Sequence, residues 1–289
     1  MIEVTTTVEL RLTLAAVRRS GRAIALVPTM GFLHEGHLSL ADVARDHADF
    51  VVLSIYVNPL QFGPGEDLDR YPRDPRRDAA LARERGVGAL YLPDDAQMYP
   101  DGEPAVIIDA PDLTTRLCGA FRPGHFRGVL TVVAKLFNQA RPDVAVFGRK
   151  DFQQLALVSR MVRDLDMGIE IVGGPIVRES DGLAMSSRNV FLGRAERTDA
   201  PLLNRALQDG QAAFTAGALE PADIVGAVRR RLATSPNIRP QYVELVDART
   251  LASTGRAEPG QVLALAALIG STRLIDNHTL TAPGREPVP

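Results

Sequence analysis

Segments with strand character and segments with helix character alternate along residues 1–175, and this alternation restricts the fold to a few architectures. Residues 23–27 form a short apolar run, and residues 38–44 carry apolar side chains at helical spacing. Residues 50–56 predict the next strand, 74–86 a charged amphipathic helix and 89–92 a short strand. A strand is also expected over 105–109, a helix over 128–141, a strand over 143–147, a helix over 152–166 and a strand over 169–172. Such alternation implies right-handed βαβ units in a mostly parallel sheet. Ligands in these sheets bind outside the carboxyl ends of the strands.

The pattern changes near Gly173, Gly174 and Pro175. A polar loop follows, then helices over 195–216 and 221–234, and Pro236 and Pro240 interrupt the chain. Residues 241–246, 261–267 and 273–277 read as strands without helices between them, which is an antiparallel α+β pattern. The expected division is a larger domain over 1–175 and a smaller one over 176–289. The tail over 282–289, with its prolines and glycine, is expected to be disordered.

Composition narrows the class. A chain of 289 residues with 45% hydrophobic side chains can bury a real core. Its net charge of −2 and lack of a basic stripe argue against nucleic acid as the main partner. Cys118 is the single cysteine, so no internal disulfide framework exists, as suits a reducing cytoplasm. No apolar run has membrane-spanning length, and Met1–Thr5 lacks the basic start and apolar core of a secretory signal.

The most specific stretch lies between the first strand and helix: Met30, Gly31, Phe32, Leu33, His34, Glu35, Gly36 and His37. A helix N-terminus presents backbone N–H groups and the positive end of a dipole, a ready anion site. Two imidazoles there can donate to phosphate oxygens. A metal pair is the weaker reading, because no third His, Cys or carboxylate is spaced to complete a site. Gly148, Arg149, Lys150 and Asp151 form a second strand-to-helix turn, with Gln153 and Gln154 opening the helix. Asp151 is either a helix cap or a site residue. Lys150 stands against the helix dipole, which favours an anionic partner.

Asn58 to Gly63 follow the second central strand and make Gln61 a pocket candidate, since an amide both donates and accepts. Met185, Ser186, Ser187 and Arg188 offer two hydroxyls and a guanidinium, a set suited to a triphosphate on a closing loop. Arg122, His125 and Arg127 precede a helix, and there the plain reading of helix entry and surface charge is favoured.

The His-x-Gly-His pattern of His34 to His37 resembles the signature of the adenylyl-transferring superfamily that includes class I aminoacyl-tRNA synthetases. The joint occurrence of Gln61, Lys150-Asp151-x-x-Gln154 and Met185 to Arg188, with residues 270–277, resembles the pantoate–β-alanine ligase (pantothenate synthetase) family along nearly the whole chain. The resemblance implies a Rossmann-like, doubly wound α/β domain with a smaller C-terminal α+β lid domain, in a cytoplasmic homodimer. It implies a two-step reaction in which ATP adenylates pantoate and β-alanine then displaces AMP. It implies ATP contacts at Met30 to His37, Gly148 to Asp151, Val177 and Met185 to Arg188, with His37 as proton donor. Gln61 and Gln154 would hold pantoate, and Mg²⁺ would bridge the phosphates alongside Lys150, Ser186, Ser187 and Arg188. Arg149 departs from the family's usual Glu or Gln, Leu60 from Met, and Phe152 from Tyr or Ala. Two other readings stand beside this one. Another adenylyltransferase of the superfamily would explain His34 and His37 but not Gln61 with Gln154. A nucleotide-binding module without catalysis would release no AMP.

Overall fold

A computed structural model describes residues 1–282. The expected disordered tail, from residue 283 on, lies outside the described residues. The strands are β1 (Ile2–Val4), β2 (Ile24–Thr29), β3 (Phe50–Ile55), β4 (Ala89–Tyr91), β5 (Val144–Gly148) and β6 (Glu170–Gly174), followed by β7 (Ile238–Val246), β8 (Val262–Ile269) and β9 (Thr272–Thr279). The first six form one sheet in the order β1-β4-β3-β2-β5-β6, every pair parallel. Strands β7, β8 and β9 form a separate antiparallel sheet.

The chain divides into two compact units. One comprises Met1–Thr115, Arg122–Arg149 and Gln154–Gly174; the other comprises Arg116–Phe121, Lys150–Gln153 and the chain from Pro175 on.

In the first unit, Ile24, Ala25, Leu26 and Val27 of β2 are all fully buried. A strand buried on both faces reads as a continuous apolar run, as a parallel sheet covered by helices requires. On one face Ala25, Val27, Val51, Leu53, Val144 and Val146 pack against Leu38, Leu40, Ala41 and Ala44 of the helix Glu35–His47. Strand order reverses at β2: β3 lies on one side of it and β5 on the other. The adjoining carboxyl ends of β2 and β5 therefore form the crevice in which such sheets bind ligands.

In the second unit, the helices Leu202–Thr215 and Pro221–Leu232 cover one face of the small sheet. Leu203, Leu207, Phe214, Ile224 and Val228 share a core with Val243, Leu245, Leu263, Leu265 and Ile269. The opposite face of that sheet carries Tyr242, Ala264, Ala266, Arg273 and Asn277. It meets the two short segments borrowed from earlier in the sequence. The Tyr242 hydroxyl lies 3.1 Å from Cys118 Sγ, the Tyr242 ring lies 6.0 Å from that of Phe121, and Asn277 Nδ2 donates to the Lys150 carbonyl at 3.0 Å.

Several expectations are corrected. Residues 105–109 form no strand: the Ile108 N–H is satisfied by Thr131 Oγ1 at 3.1 Å, and Val106 is exposed. Strand β1 and the helix Thr7–Arg19 add to the expected elements; the helix starts at a capping box in which Thr6 Oγ1 accepts from Glu9 N–H and Glu9 accepts from Thr6 N–H. The helix expected over 195–216 breaks into Arg194–Asp199 and Leu202–Thr215. Pro201 sits at the break, where a proline interrupts helical hydrogen bonding. Gly173 and Gly174 lie inside β6 rather than beyond it. The edge strand β7 holds Pro240, where the ladder shifts register between Pro240 and Tyr242.

Candidate functional site

The turn after β2 is held by its own residues. Gly31 and Phe32 are both left-handed, at φ 82° and 49°. A Cβ on Gly31 would lie 2.8 Å from Ile55 Cγ2, so only glycine fits. His34 caps the helix Glu35–His47, its Nδ1 accepting from Gly36 N–H at 3.1 Å. His37 Nδ1 accepts from His34 N–H at 3.4 Å, and the two rings lie 4.0 Å apart. With Nδ1 accepting, the proton of each neutral imidazole resides on Nε2, which makes Nε2 the donor. Ahead of the helix, Phe32 and Leu33 N–H donate to Asp78 Oδ2 and Oδ1 at 2.7 Å each; at its start, Gly36 N–H is taken by His34. Glu35 is drawn into an ion pair with Arg85 on the helix surface.

Asp78 is buried on the helix Pro75–Glu84. Burial pushes its carboxyl pKa up, opposed by the two N–H donors and by Arg77. Arg77 donates to the Leu33 carbonyl at 3.0 Å and lies over the Phe32 ring at 5.4 Å. Nothing in residues 74–86 marks either side chain, because their partners are more than forty positions away.

Gln61 sits on a short 3₁₀ turn, Pro59–Gln61, and is buried. Its Nε2 approaches Met30 Sδ at 2.9 Å and its Oε1 accepts from Asn58 Nδ2 at 3.2 Å. Asn58 is fully committed: Nδ2 also donates to the Gly128 carbonyl at 3.1 Å, while Oδ1 accepts from the Tyr99 hydroxyl at 2.8 Å and from Leu60 N–H at 3.3 Å. A Cβ on Gly128 would collide with the Leu60 carbonyl, so the helix His125–Ala140 can lie against this turn only with glycine there. Arg122 and His125 stand at the helix entry, as read from the sequence, and in addition grip the Gln61 carbonyl at 3.2 Å and 2.8 Å. Arg122 is itself held by Glu66, Nε to Oε1 at 2.7 Å and Nη2 to Oε2 at 2.5 Å. Burial raises the Glu66 pKa, yet the Arg122 fork outweighs it and holds the carboxyl below the usual range.

Gly148 closes β5 in register with Gly174 and needs no left-handed backbone. Arg149–Asp151 is a 3₁₀ turn between β5 and the helix that follows. Arg149 Nε donates to the Gly173 carbonyl of β6 at 3.0 Å. Gln154 opens this unit's next stretch in a half-buried position.

The remaining candidates belong to the second unit. Lys150 is half-buried and Asp151 exposed. Gln153 is structural: its Oε1 accepts from Cys118 N–H at 2.9 Å and its Nε2 donates to the Arg116 carbonyl at 2.8 Å. The expected loop near 180 is a small hairpin. Met185 N–H donates to the Val177 carbonyl at 3.0 Å, and Arg178 bridges Ala184. Arg178 forms a fork on the buried Asp276 at 2.7 Å and 3.0 Å. Ser186 caps the 3₁₀ helix Ser187–Phe191 by accepting from Arg188 N–H at 3.2 Å; Ser187 is buried and Arg188 half-buried. Asp276 and Asn277, in the 270–277 motif, carry no role that the sequence states; they anchor Arg178 and the Lys150 backbone.

A parallel sheet whose order reverses beside a two-histidine turn defines a Rossmann-like α/β protein with a small antiparallel C-terminal sheet. Within that class, the family profile described as pantoate-beta-alanine ligase matches residues 3–279. The chain belongs to the pantoate–β-alanine ligase family. It is 52% identical over 261 residues to the pantothenate synthetase of Syntrophotalea carbinolica, covering 90% of this chain and 92% of that one. It is 52% identical over 263 residues to that of Geobacter sulfurreducens, covering 91% and 93%. Among solved structures it resembles pantothenate synthetase from Thermus thermophilus, with TM-score 0.91, 46% identity and coverage of 96% of this chain and 99% of that one. It also resembles the Francisella tularensis pantoate-beta-alanine ligase complexed with beta-gamma ATP and beta-alanine, with TM-score 0.78, 30% identity and coverage of 96% and 97%.

Proposed function

We propose that this protein joins pantoate and β-alanine at the expense of ATP. A carboxylate oxygen of pantoate attacks the α-phosphorus of ATP in line, and pyrophosphate leaves. The β-alanine nitrogen then attacks the acyl carbon, AMP leaves, and the amine gives up a proton. One observation carries the reading. At the order reversal of the sheet, the Gln61 amide lies against Met30 of the two-histidine turn, so an amide able to hold a hydroxyl or carboxylate adjoins the turn. In-line transfer needs positioning and charge stabilisation more than covalent help. His34 and His37 supply Nε2–H donors to phosphate, with His37 giving a proton to the departing phosphate oxygen. Met30 to His37 and Gly148 to Asp151 frame ATP, joined by Val177 and Met185 to Arg188. Lys150, Ser186, Ser187 and Arg188 take phosphate oxygens, and Gln61 and Gln154 hold pantoate.

Mg²⁺ enters with ATP as part of the substrate; among the described residues no group of three or more His, Cys, Asp or Glu is placed to hold a metal ion. The segment 1–175 carries nucleotide and pantoate binding and 176–289 acts as the lid. The enzyme works as a cytoplasmic homodimer, a proposal that rests on the family resemblance and, for location, on the single cysteine. No described helix is long and apolar enough to cross a membrane.

Exchange of labelled pyrophosphate into ATP tests the order of chemistry. It should require pantoate and not β-alanine, whereas net AMP should require both. Exchange that needs β-alanine would exclude a pantoyl-adenylate intermediate, and AMP release without either substrate would exclude the ligase.

A further inference from the structure

The two-histidine turn is fastened from beneath by a carboxylate that lies outside the motif. Asp78 is 1% exposed, and its two oxygens each accept one backbone N–H, from Phe32 and from Leu33. The two donors are consecutive residues, and Gly31 and Phe32 are left-handed, so this is a concave backbone nest closed on a carboxylate. Phe32 adopts a conformation that an L-residue holds only when its surroundings impose it. Gly31 is shaped to the same seat: a Cβ there would lie 3.1 Å from Asp78 Oδ2. Above the turn, Arg77 closes the other side through the Leu33 carbonyl and the Phe32 ring, and its Nη1 lies 3.8 Å from Asp78 Oδ1. Gly31, seated on the same carboxylate, joins the clamped residues to Met30, against which Gln61 rests; immediately after Leu33 stands His34, the helix cap. Fixing Gly31 to Leu33 therefore fixes Met30 on one side and His34 on the other.

We propose that Asp78 is a positioning residue for the adenylation step, with Arg77 as its outer clamp: it holds the Gly31–Leu33 backbone so that His34 and His37 meet the phosphates and Met30 keeps Gln61 in place. The inference rests on the ligase reading above. Only an acceptor on both oxygens suits the seat. An amide at position 78 would turn an NH₂ toward a backbone N–H, and alanine would leave both donors buried without acceptors.

The test compares the two half-reactions in the purified full chain. Asp78→Asn should lower pantoate-dependent pyrophosphate exchange on the order of a hundredfold, the scale of loss expected when a reacting group shifts by about 1 Å. The reaction of supplied pantoyl adenylate with β-alanine should stay within about threefold, because it needs no attack at phosphorus. Equal losses in both half-reactions, or undiminished exchange, would overturn the proposal. Should Asp78→Asn not fold, Arg77→Ala decides. Its side chain is 46% exposed, and it should raise KM for MgATP about fivefold while leaving KM for β-alanine unchanged, as expected for loosened positioning. An unchanged KM for MgATP in that variant would equally overturn the proposal. Wild-type enzyme without any pantoate-dependent exchange would refute the ligase reading instead.

Discussion

Adjacent side chains in the turn after β5 do different work. Lys150 contributes its backbone carbonyl to Asn277, so its fold contact survives truncation of the side chain. The proposed function gives its ammonium to the phosphates. Lys150→Ala should then keep native thermal stability yet lower turnover on the order of a hundredfold or more, by analogy with the ~3–4 kcal/mol cost of losing a transition-state donor. A near-normal rate would remove Lys150 from the site. Arg149 instead spends its Nε on the Gly173 carbonyl, at the edge strand of the sheet. Arg149→Glu loses that hydrogen bond and sets a carboxylate against a carbonyl, a loss of about 1 kcal/mol of stability. Its kcat/KM should change by less than about tenfold, under ~1.4 kcal/mol in the barrier. A hundredfold loss would show that Arg149 touches the nucleotide, and that this chain arranges its phosphate site differently from relatives with Glu or Gln.

Two elements are placed by contacts that their own sequences do not announce. The helix His125–Ala140 approaches the Pro59–Gln61 turn so closely that Gly128 has no room for a methyl group. Gly128→Ala must push the helix away from Leu60, breaking the Asn58 bond to the Gly128 carbonyl and loosening the Arg122 and His125 grip on Gln61. We expect a loss of about 1–3 kcal/mol, as for overpacking a tight contact, together with a raised KM for pantoate. A variant with wild-type melting temperature and KM would show that the contact is slack. The hairpin spanning 177–185 makes a complementary case. It is tied by Met185 N–H to the Val177 carbonyl, by Glu179 N–H to the Leu183 carbonyl, and by Arg178 on Asp276. Ser186 and Arg188, which follow it, are nevertheless only partly buried. MgATP with pantoate should slow amide hydrogen exchange over 180–190, since ordering of a ligand-closed loop removes its local openings. Identical exchange with and without ligands would argue against closure.

At the scale of the whole molecule, periodicity in the sequence carried strands β2 to β5 well, because each is a short apolar run. Strand order was not legible: β1, only Ile2–Val4 with Ile2 half exposed, has too few residues for a pattern and is placed by pairing with β4. The strand-to-helix turns that carry the candidate residues were legible, but the side chains that support them were not. Asp78, Glu66 and Arg122 act on partners dozens of positions away, and no local spacing encodes that. The second unit shows the same non-locality at larger scale, because it draws in Arg116–Phe121 and Lys150–Gln153. A fragment of residues 176–289 keeps the helix-covered core, whose members all lie at Leu183 or beyond. It lacks the residues that meet the other face, so Tyr242 loses Cys118 and Phe121, Asn277 loses the Lys150 carbonyl, and the buried Tyr242 hydroxyl loses its partner. The fragment should retain helical and strand circular dichroism while binding a dye specific for exposed apolar surface and melting at least several degrees below the intact protein. The reason is that an uncovered apolar face costs about 25 cal/mol per Å². A fragment that binds no dye and melts cooperatively at the parent temperature would show that the helix-covered core alone sustains the unit, and that the two borrowed segments serve the site rather than the fold.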